Sequence, residues 1–182
     1  RATRTEFTHR ARARAAWRNM ARAMTLDDFL ARIPKVELHC HLLGTVRRAT
    51  FTELVRRAQA PISDEEIAAF YTLRVLRALD AWLLRTPDDL HRLTYEYLQD
   101  AAAHQVRHAE FFWNPTGTAR EGGLPYARAL EGIRRAILDA RRDFGISARL
   151  IAAIDREAPP EAALEMVQWV IAQPCDEVAG IG

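Results

Sequence analysis

Segments typical of β-strands alternate with segments typical of α-helices from residue 25 to the end of the chain. The four predicted strands cover residues 35–42, 107–113, 149–154 and 177–181. Parallel strands need a long crossover connection, usually a helix, so this alternation predicts an α/β fold with a parallel sheet. Two architectures fit the order: an open, doubly wound sheet and part of an eight-stranded barrel. An open sheet that binds a dinucleotide carries a Gly-rich turn after its first strand, whereas Gly44 stands alone here.

Capping residues mark where several of the predicted helices begin. Thr25 and Thr86 are suitable N-caps, and Ser63 forms a predicted capping box with Glu66. Prolines and glycines between residues 114 and 125 indicate a turn followed by an irregular loop. The predicted helices cover residues 25–33, 50–57, 63–70, 73–84, 86–103, 126–144 and 161–172.

The first 23 residues differ in charge from the rest of the chain. They hold seven arginines and one acid, which gives +6, while the remaining residues carry −4. We interpret residues 1–23 as a basic, disordered extension before Met24; the alternatives are a transit peptide or an arm that touches nucleic acid or membrane. The mildly acidic body gives no reason to expect nucleic-acid binding. No apolar run approaches the roughly 18 residues that a membrane span needs, so no membrane partner is expected.

The number and spacing of the cysteines indicate the cellular compartment and exclude one class of zinc chemistry. Cys40 and Cys175 are too few and too far apart for a disulfide framework, so we expect a cytoplasmic protein. Zinc-dependent deaminases of the cytidine type need a Pro-Cys-x-x-Cys motif. Cys175 follows Pro174, but no second cysteine comes after it, which excludes that chemistry.

The sequence His39-Cys40-His41 lies near the end of the first predicted strand. Residues two apart on a strand point to the same face, so both imidazoles should project together while Cys40 packs against the helices. The same alternation would put Val36, Leu38 and Leu42 on the Cys40 face and Glu37 on the face of the two histidines. Two imidazoles can share a zinc ion at about 2.1 Å each, and barrel enzymes carry their active sites at the carboxyl ends of the strands. The alternative is a pair of half-buried histidines bonded to their neighbours.

The chain resembles the adenosine deaminase family from about residue 25 to residue 182 in register. The residues that carry the resemblance are 34–46 (PKVELHCHLLGTV), 84–89 (LRTPDD) with 95–97 (YEY), 109–115 (AEFFWNP), 142–146 (RDFGI) with 148–151 (ARLI), and 178–182 (VAGIG). The resemblance implies that residues 24–182 are the N-terminal part of a single (β/α)8 barrel domain of the metal-dependent hydrolase type.

The same resemblance implies a hydrolytic deaminase with one zinc ion, which converts adenosine or a related aminopurine to the oxo-purine and ammonia. In the family's motif, two of the zinc ligands correspond to His39 and His41. The family's other metal ligands and its proton-transferring residues are expected downstream of Gly182, so the 182-residue chain alone is expected to be inactive. The expected partner is a small purine or purine nucleoside, and the oligomeric state is not predicted.

Five further residues are predicted to contact the substrate. Leu43 and Gly44 follow the histidine pair, and Asn114, Asp155 and Arg156 lie at the ends of later strands. Many adenosine-specific members of the family carry an aspartate at the position of Leu43, where it bonds a ribose hydroxyl. A leucine forms no such bond, so adenine, a modified nucleoside or another aminated heterocycle are alternatives to adenosine. The structural alternatives are a turn cap for Asn114 and a surface ion pair between Asp155 and Arg156.

Two other functions fit the same residues. One is a barrel relative that has lost catalysis and acts as a binding or structural module, which the leucine at position 43 allows. The other is an amidohydrolase that uses the histidine pair on a different amide or ring substrate.

Overall fold

The computed structural model describes residues 24–69, 79 and 83–182. It divides the chain into two compact units, Arg1–Pro34 and Lys35–Gly182. The predicted basic extension over residues 1–23 and most of the predicted helix over 73–84 lie outside the described residues. Among the residues described, none of the helices combines the length and the apolar character that crossing a membrane requires.

The first unit contains one described helix, α1 (Leu26–Arg32). Its N-cap is Thr25, as predicted, and the cap forms a capping box in which the Asp28 side chain bonds back to the Thr25 backbone. Asp27 and Asp28 lie in the first turn, where the partial positive charge of the helix favours acids.

The second unit is built on four parallel strands in the order β1-β2-β3-β4. The crossovers between consecutive strands are helical, as the alternating pattern predicted. The elements in chain order are β1 (Lys35–His41), a 3-10 turn (Leu42–Thr45), α2 (Arg48–Ala58), α3 (Asp64–Ala68), α4 (Pro87–Ala103), β2 (Val106–Trp113), α5 (Pro115–Arg120), α6 (Tyr126–Phe144), β3 (Ser147–Ala152), α7 (Pro160–Ala172) and β4 (Val178–Ile181).

Helices α4 and α6 cover one face of the sheet and form the core with it. Alternate residues of β2 face these helices, and Phe111 and Trp113 are almost completely buried there. Tyr97 of α4 meets Phe111 edge-on, and Tyr126 of α6 stacks on Trp113. Helix α6 ends at Gly145, whose φ of 71° is the left-handed conformation that glycine adopts without strain.

Strand β1 departs from the simple alternation predicted for it. Between Glu37 and Cys40, β1 advances by three residues, while its partner β2 advances by only two, from Ala109 to Phe111. This register shift is typical of a β-bulge, which brings Glu37 and Cys40 to the same, helix-covered face. The predicted grouping of Val36 and Leu38 with Cys40 is therefore wrong, since these two side chains are 63% and 56% exposed on the other face. The predicted grouping of Glu37 with the histidines is wrong for the same reason.

The segment after β2 also differs from its predicted structure. Residues predicted as a turn and irregular loop contain a helical stretch, α5 (Pro115–Arg120), before the chain reaches α6. Asn114 caps it, because its Oδ1 accepts a hydrogen bond from the Gly117 backbone at 3.0 Å. Prolines and glycines often break helices, but asparagine followed by proline is also a typical helix start.

Candidate active site

His39 and His41 lie at the end of β1, on the face of the sheet opposite α4 and α6. His39 lies within the register shift and His41 pairs with Phe112 after it, and the two rings project together. The ring centroids are 5.6 Å apart, and both residues are exposed. The prediction that the two imidazoles share one face agrees with this geometry.

The spacing of the two rings fits a shared zinc ion. A ring nitrogen binds zinc at about 2.1 Å, so each ring centroid would lie about 3.2 Å from the ion and the two centroids at most about 6.5 Å from each other. The observed 5.6 Å lies within that limit. Nitrogen is also a preferred zinc donor, so the residues present fit the metal in both distance and chemistry.

The described residues supply only part of a metal site. Over residues 24–69, 79 and 83–182, no group of three or more His, Cys, Asp or Glu side chains could hold a metal ion. A catalytic zinc site uses three protein ligands. The two histidines therefore stand as two candidate ligands, and their role as ligands stays a prediction.

Cys40 lies between the two histidines in sequence but on the opposite face. It packs against the hydrophobic core near Tyr97 and Glu37. Burial and the nearby Glu37 carboxylate raise the pKa of the Cys40 thiol above its ordinary value, so the thiol stays protonated at neutral pH. Because its side chain packs against the core on the face opposite the two imidazoles, this residue is not a third ligand of the histidine pair.

A cleft of about 820 Å³ opens beside His41 at the carboxyl ends of the first three strands. All five predicted substrate-contacting residues line it, together with His41: Leu43, Gly44, Asn114, Asp155 and Arg156. They come from three separate segments of the chain, which the parallel sheet brings together. Their contact with a substrate is untested and stays a prediction.

Two of these residues have structural partners that bear on their roles. The Oδ1 atom of Asn114 is occupied as the cap of α5, as the structural alternative proposed, although the residue also lines the cleft. Asp155 Oδ1 accepts a hydrogen bond from the Glu157 backbone at 3.0 Å. Within the described part of the chain, Asp155 and Arg156 form no ion pair with each other, so that alternative is wrong.

Several further residues, which the sequence pattern did not predict, also line the cleft. Thr116, Arg120 and Glu121 line the cleft from α5 and its end, in the segment predicted as an irregular loop. Arg120 Nη2 also binds Glu165 Oε2 of α7 at 2.6 Å, which ties this wall of the cleft to the next helix. Recognising Asn114-Pro115 as a helix start would have found them, because α5 then projects its residues over the strand end.

Proteins of known structure and curated proteins share this architecture. An amidohydrolase from Burkholderia ambifaria, solved with bound Zn, is 57% identical with a TM-score of 0.84, over 87% of this chain and 46% of that one. The adenine deaminase of Arthrobacter aurescens is 34% identical with a TM-score of 0.71, over 82% of this chain and 48% of that one. The adenine deaminase of Vibrio parahaemolyticus is 34% identical over 166 residues, which are 86% of this chain and 49% of that protein.

The chain spans about half the length of the curated relatives it matches. Its four parallel strands with helical crossovers are the N-terminal half of the (β/α)8 barrel seen in the solved relatives. Residues 34–182, which include β1, the cleft and β4, match the sequence profile described as adenosine deaminase. The chain therefore belongs to the adenosine deaminase family.

Proposed function

We propose that the whole protein containing this chain is a zinc-dependent aminohydrolase that replaces the amino group of an aminopurine with oxygen and releases ammonia. The observation that carries the proposal is the pair of imidazoles of His39 and His41, with ring centroids 5.6 Å apart, beside a cleft of about 820 Å³ that His41 lines. Small-molecule sites typically measure about 300–1,000 Å³, so a purine fits the cleft. The unpaired cysteines support a reducing, cytoplasmic setting.

Each part of the chain has a distinct task in this proposal. His39 and His41 hold the metal. A zinc ion bound there supplies Lewis acidity and makes water a usable nucleophile near pH 7. The cleft residues bind the purine and limit its orientation, so that the amine-bearing carbon faces the histidines. Proton transfer to the ring nitrogen and the leaving amine is assigned to residues outside this chain.

We propose a free aminopurine base, such as adenine, as the substrate in preference to a nucleoside. Leu43 is half-buried in the cleft wall and offers only apolar surface. A site that lacks a partner for a ribose hydroxyl leaves that group unsatisfied on binding, at a cost of about 1–3 kcal/mol. The relatives named adenine deaminase, at 34% identity, support the same substrate class.

The decisive experiment compares the purified whole protein with the double variant His39→Ala, His41→Ala. We expect about one zinc ion per wild-type chain and loss of most of it in the variant, because two of the three protein ligands are removed. Ammonia release from adenine should fall by at least 10³-fold, since the metal activates the attacking water. Elemental analysis and an ammonia assay give the two readouts.

The matched control is His104→Ala, which removes an exposed histidine at the end of α4, away from the cleft. It should keep both the zinc content and the activity. Unchanged zinc in the double variant would refute the assignment of the ligands. If the double variant loses zinc but the wild-type protein deaminates neither adenine nor adenosine, the metal site stands and the proposed reaction is refuted.

A further inference from the structure

Phe112 of β2 lies against both candidate metal ligands. It pairs with His41 across the β1–β2 ladder, and its ring centroid lies 5.3 Å from that of His41 with the planes 23° apart. The same ring lies 4.5 Å from that of His39, with the planes 33° apart. One phenyl ring therefore contacts two imidazoles at once, stacked on that of His41 and tilted against that of His39.

Neither imidazole is oriented by a hydrogen bond within the described residues. A metal-binding histidine ordinarily donates its second ring N–H to a carboxylate, a carbonyl or a water, which fixes the ring orientation. Among the described residues, the ring contacts of His39 and His41 are with each other and with Phe112. Within this part of the chain, the contact with Phe112 is therefore an interaction that limits the rotation of both rings.

Phe112 also has close neighbours on the side away from the two histidines. Ile151 of β3 is its partner across the β2–β3 ladder. A Cβ atom at Gly182, just after β4, would lie 2.9 Å from Phe112 Cε1 and 3.2 Å from Ile151 Cγ2. The phenyl ring therefore occupies space that the absence of a side chain at Gly182 leaves open, and it lies between β3–β4 and the histidines.

We propose that Phe112 is a positioning residue that holds the imidazoles of His39 and His41 in the orientation that binds zinc. This inference rests on the proposed function, because it requires that the two histidines are zinc ligands. Contact with one shared ring couples the two side chains, so the metal-free protein holds them ready for the ion and loses less conformational entropy on binding.

The size of the effect follows from the cost of removing groups that orient metal ligands, which is typically about 10–100-fold in affinity. We expect Phe112→Leu to raise the zinc dissociation constant about 10-fold. Leucine keeps apolar volume but has no flat face for the imidazoles to stack on. Phe112→Tyr keeps the flat ring and should stay within about threefold of wild type.

The experiment measures zinc affinity of the whole protein by competition with a chelator, on samples shown to be folded by circular dichroism. The matched control is Phe111→Leu, the adjacent residue of β2, which is completely buried on the helix-covered face. It loses more packing than Phe112→Leu but touches neither histidine. A second readout is the imidazole NMR signals of the metal-free protein, which should shift for His39 and His41 in Phe112→Leu and stay in place in Phe111→Leu.

The outcomes separate this inference from the proposed function. Weaker zinc binding in Phe112→Leu, with near-normal binding in Phe112→Tyr and Phe111→Leu, supports the positioning role. Unchanged affinity in Phe112→Leu, or an equal loss in Phe111→Leu or Phe112→Tyr, overturns the role while the histidine assignment stands. Unchanged zinc binding in the His39→Ala, His41→Ala variant overturns both.

Discussion

Gly132 of α6 lies directly against the Pro87 carbonyl at the start of α4. A Cβ atom at Gly132 would lie 2.1 Å from Pro87 O and 2.9 Å from Pro87 C. The obstructing atoms belong to the backbone and cannot rotate away, so this glycine sets how closely the two helices approach. Because α4 and α6 together cover one face of β2, this contact also sets how closely the two helices lie side by side over the sheet.

Gly132→Ala should lower the free energy of unfolding of the whole protein by about 1–3 kcal/mol. The added methyl group forces α4 and α6 apart, and overpacking of this kind is typically costly even when the backbone shifts. Chemical denaturation monitored by circular dichroism measures the change. Gly180→Ala is the control, since a Cβ there meets nothing within 4 Å. Equal stability of the two variants would contradict the close-approach argument.

Asp89 is a buried carboxylate whose removal should be costly. It is 4% exposed, binds Arg57 Nη2 at 2.7 Å, and accepts the Arg85 and Thr86 backbone N–H groups at the start of α4. Asp89→Ala leaves these donors without their partner and should lower the free energy of unfolding by about 2–3 kcal/mol. Asp88→Ala, the exposed neighbour that pairs with Arg135 at the surface, should cost less than about 1 kcal/mol. Denaturation midpoints of the two variants would coincide if the buried cap had no role.

Asp139 of α6 should contribute to stability at neutral pH and lose that contribution in acid. Its hydrogen bond with His91 and its ion pair with Arg142 lower the pKa of this carboxyl below the ordinary 3.8. The folded state therefore binds the proton less readily than the unfolded state, so the contribution is present above pH 3.8 and disappears as the pH falls through the lowered pKa.

The measurement is the thermal midpoint of wild type and Asp139→Asn at several pH values from 6 to 3. The difference between them should be largest at pH 6 and shrink toward pH 3. Asp176→Asn, an exposed aspartate without an ion pair among the described residues, serves as the control and should show no such trend. A difference that is constant with pH would contradict the assigned cause.

Leu43→Asp should shift the substrate preference of the whole protein from adenine toward adenosine. The leucine side chain lines the cleft, and a carboxylate at that position can accept a hydrogen bond from a ribose hydroxyl. A hydrogen bond to a charged group is worth about 1.5–3 kcal/mol, which corresponds to a 10–100-fold rise in the ratio of kcat/KM for adenosine over adenine. Leu164→Asp, at an exposed position of α7, adds the same charge outside the cleft and should leave the ratio unchanged. An unaltered ratio in Leu43→Asp would show that this position does not face the ribose.

The sequence predicted those features that depend on neighbours along the chain. The capping boxes at Thr25, Ser63 and Thr86 form as expected, because a cap bonds to a backbone group only three residues away. The alternating order of strands and helices predicted the parallel sheet for the same reason, since each crossover is a local connection. The shared direction of His39 and His41 also followed from strand geometry alone.

Only the tertiary structure decided the features that depend on distant partners. The register shift between Glu37 and Cys40 arises from pairing with β2, some seventy residues later, and it reversed the faces predicted for Val36 and Leu38. Phe112 meets both histidines because two strands lie side by side, and no spacing within either strand reveals that contact. The sequence by itself determined which segments fold and which side chains carry metal-binding chemistry. The sheet then decided which of them meet, because their distances depend on strand pairing rather than on position in the chain.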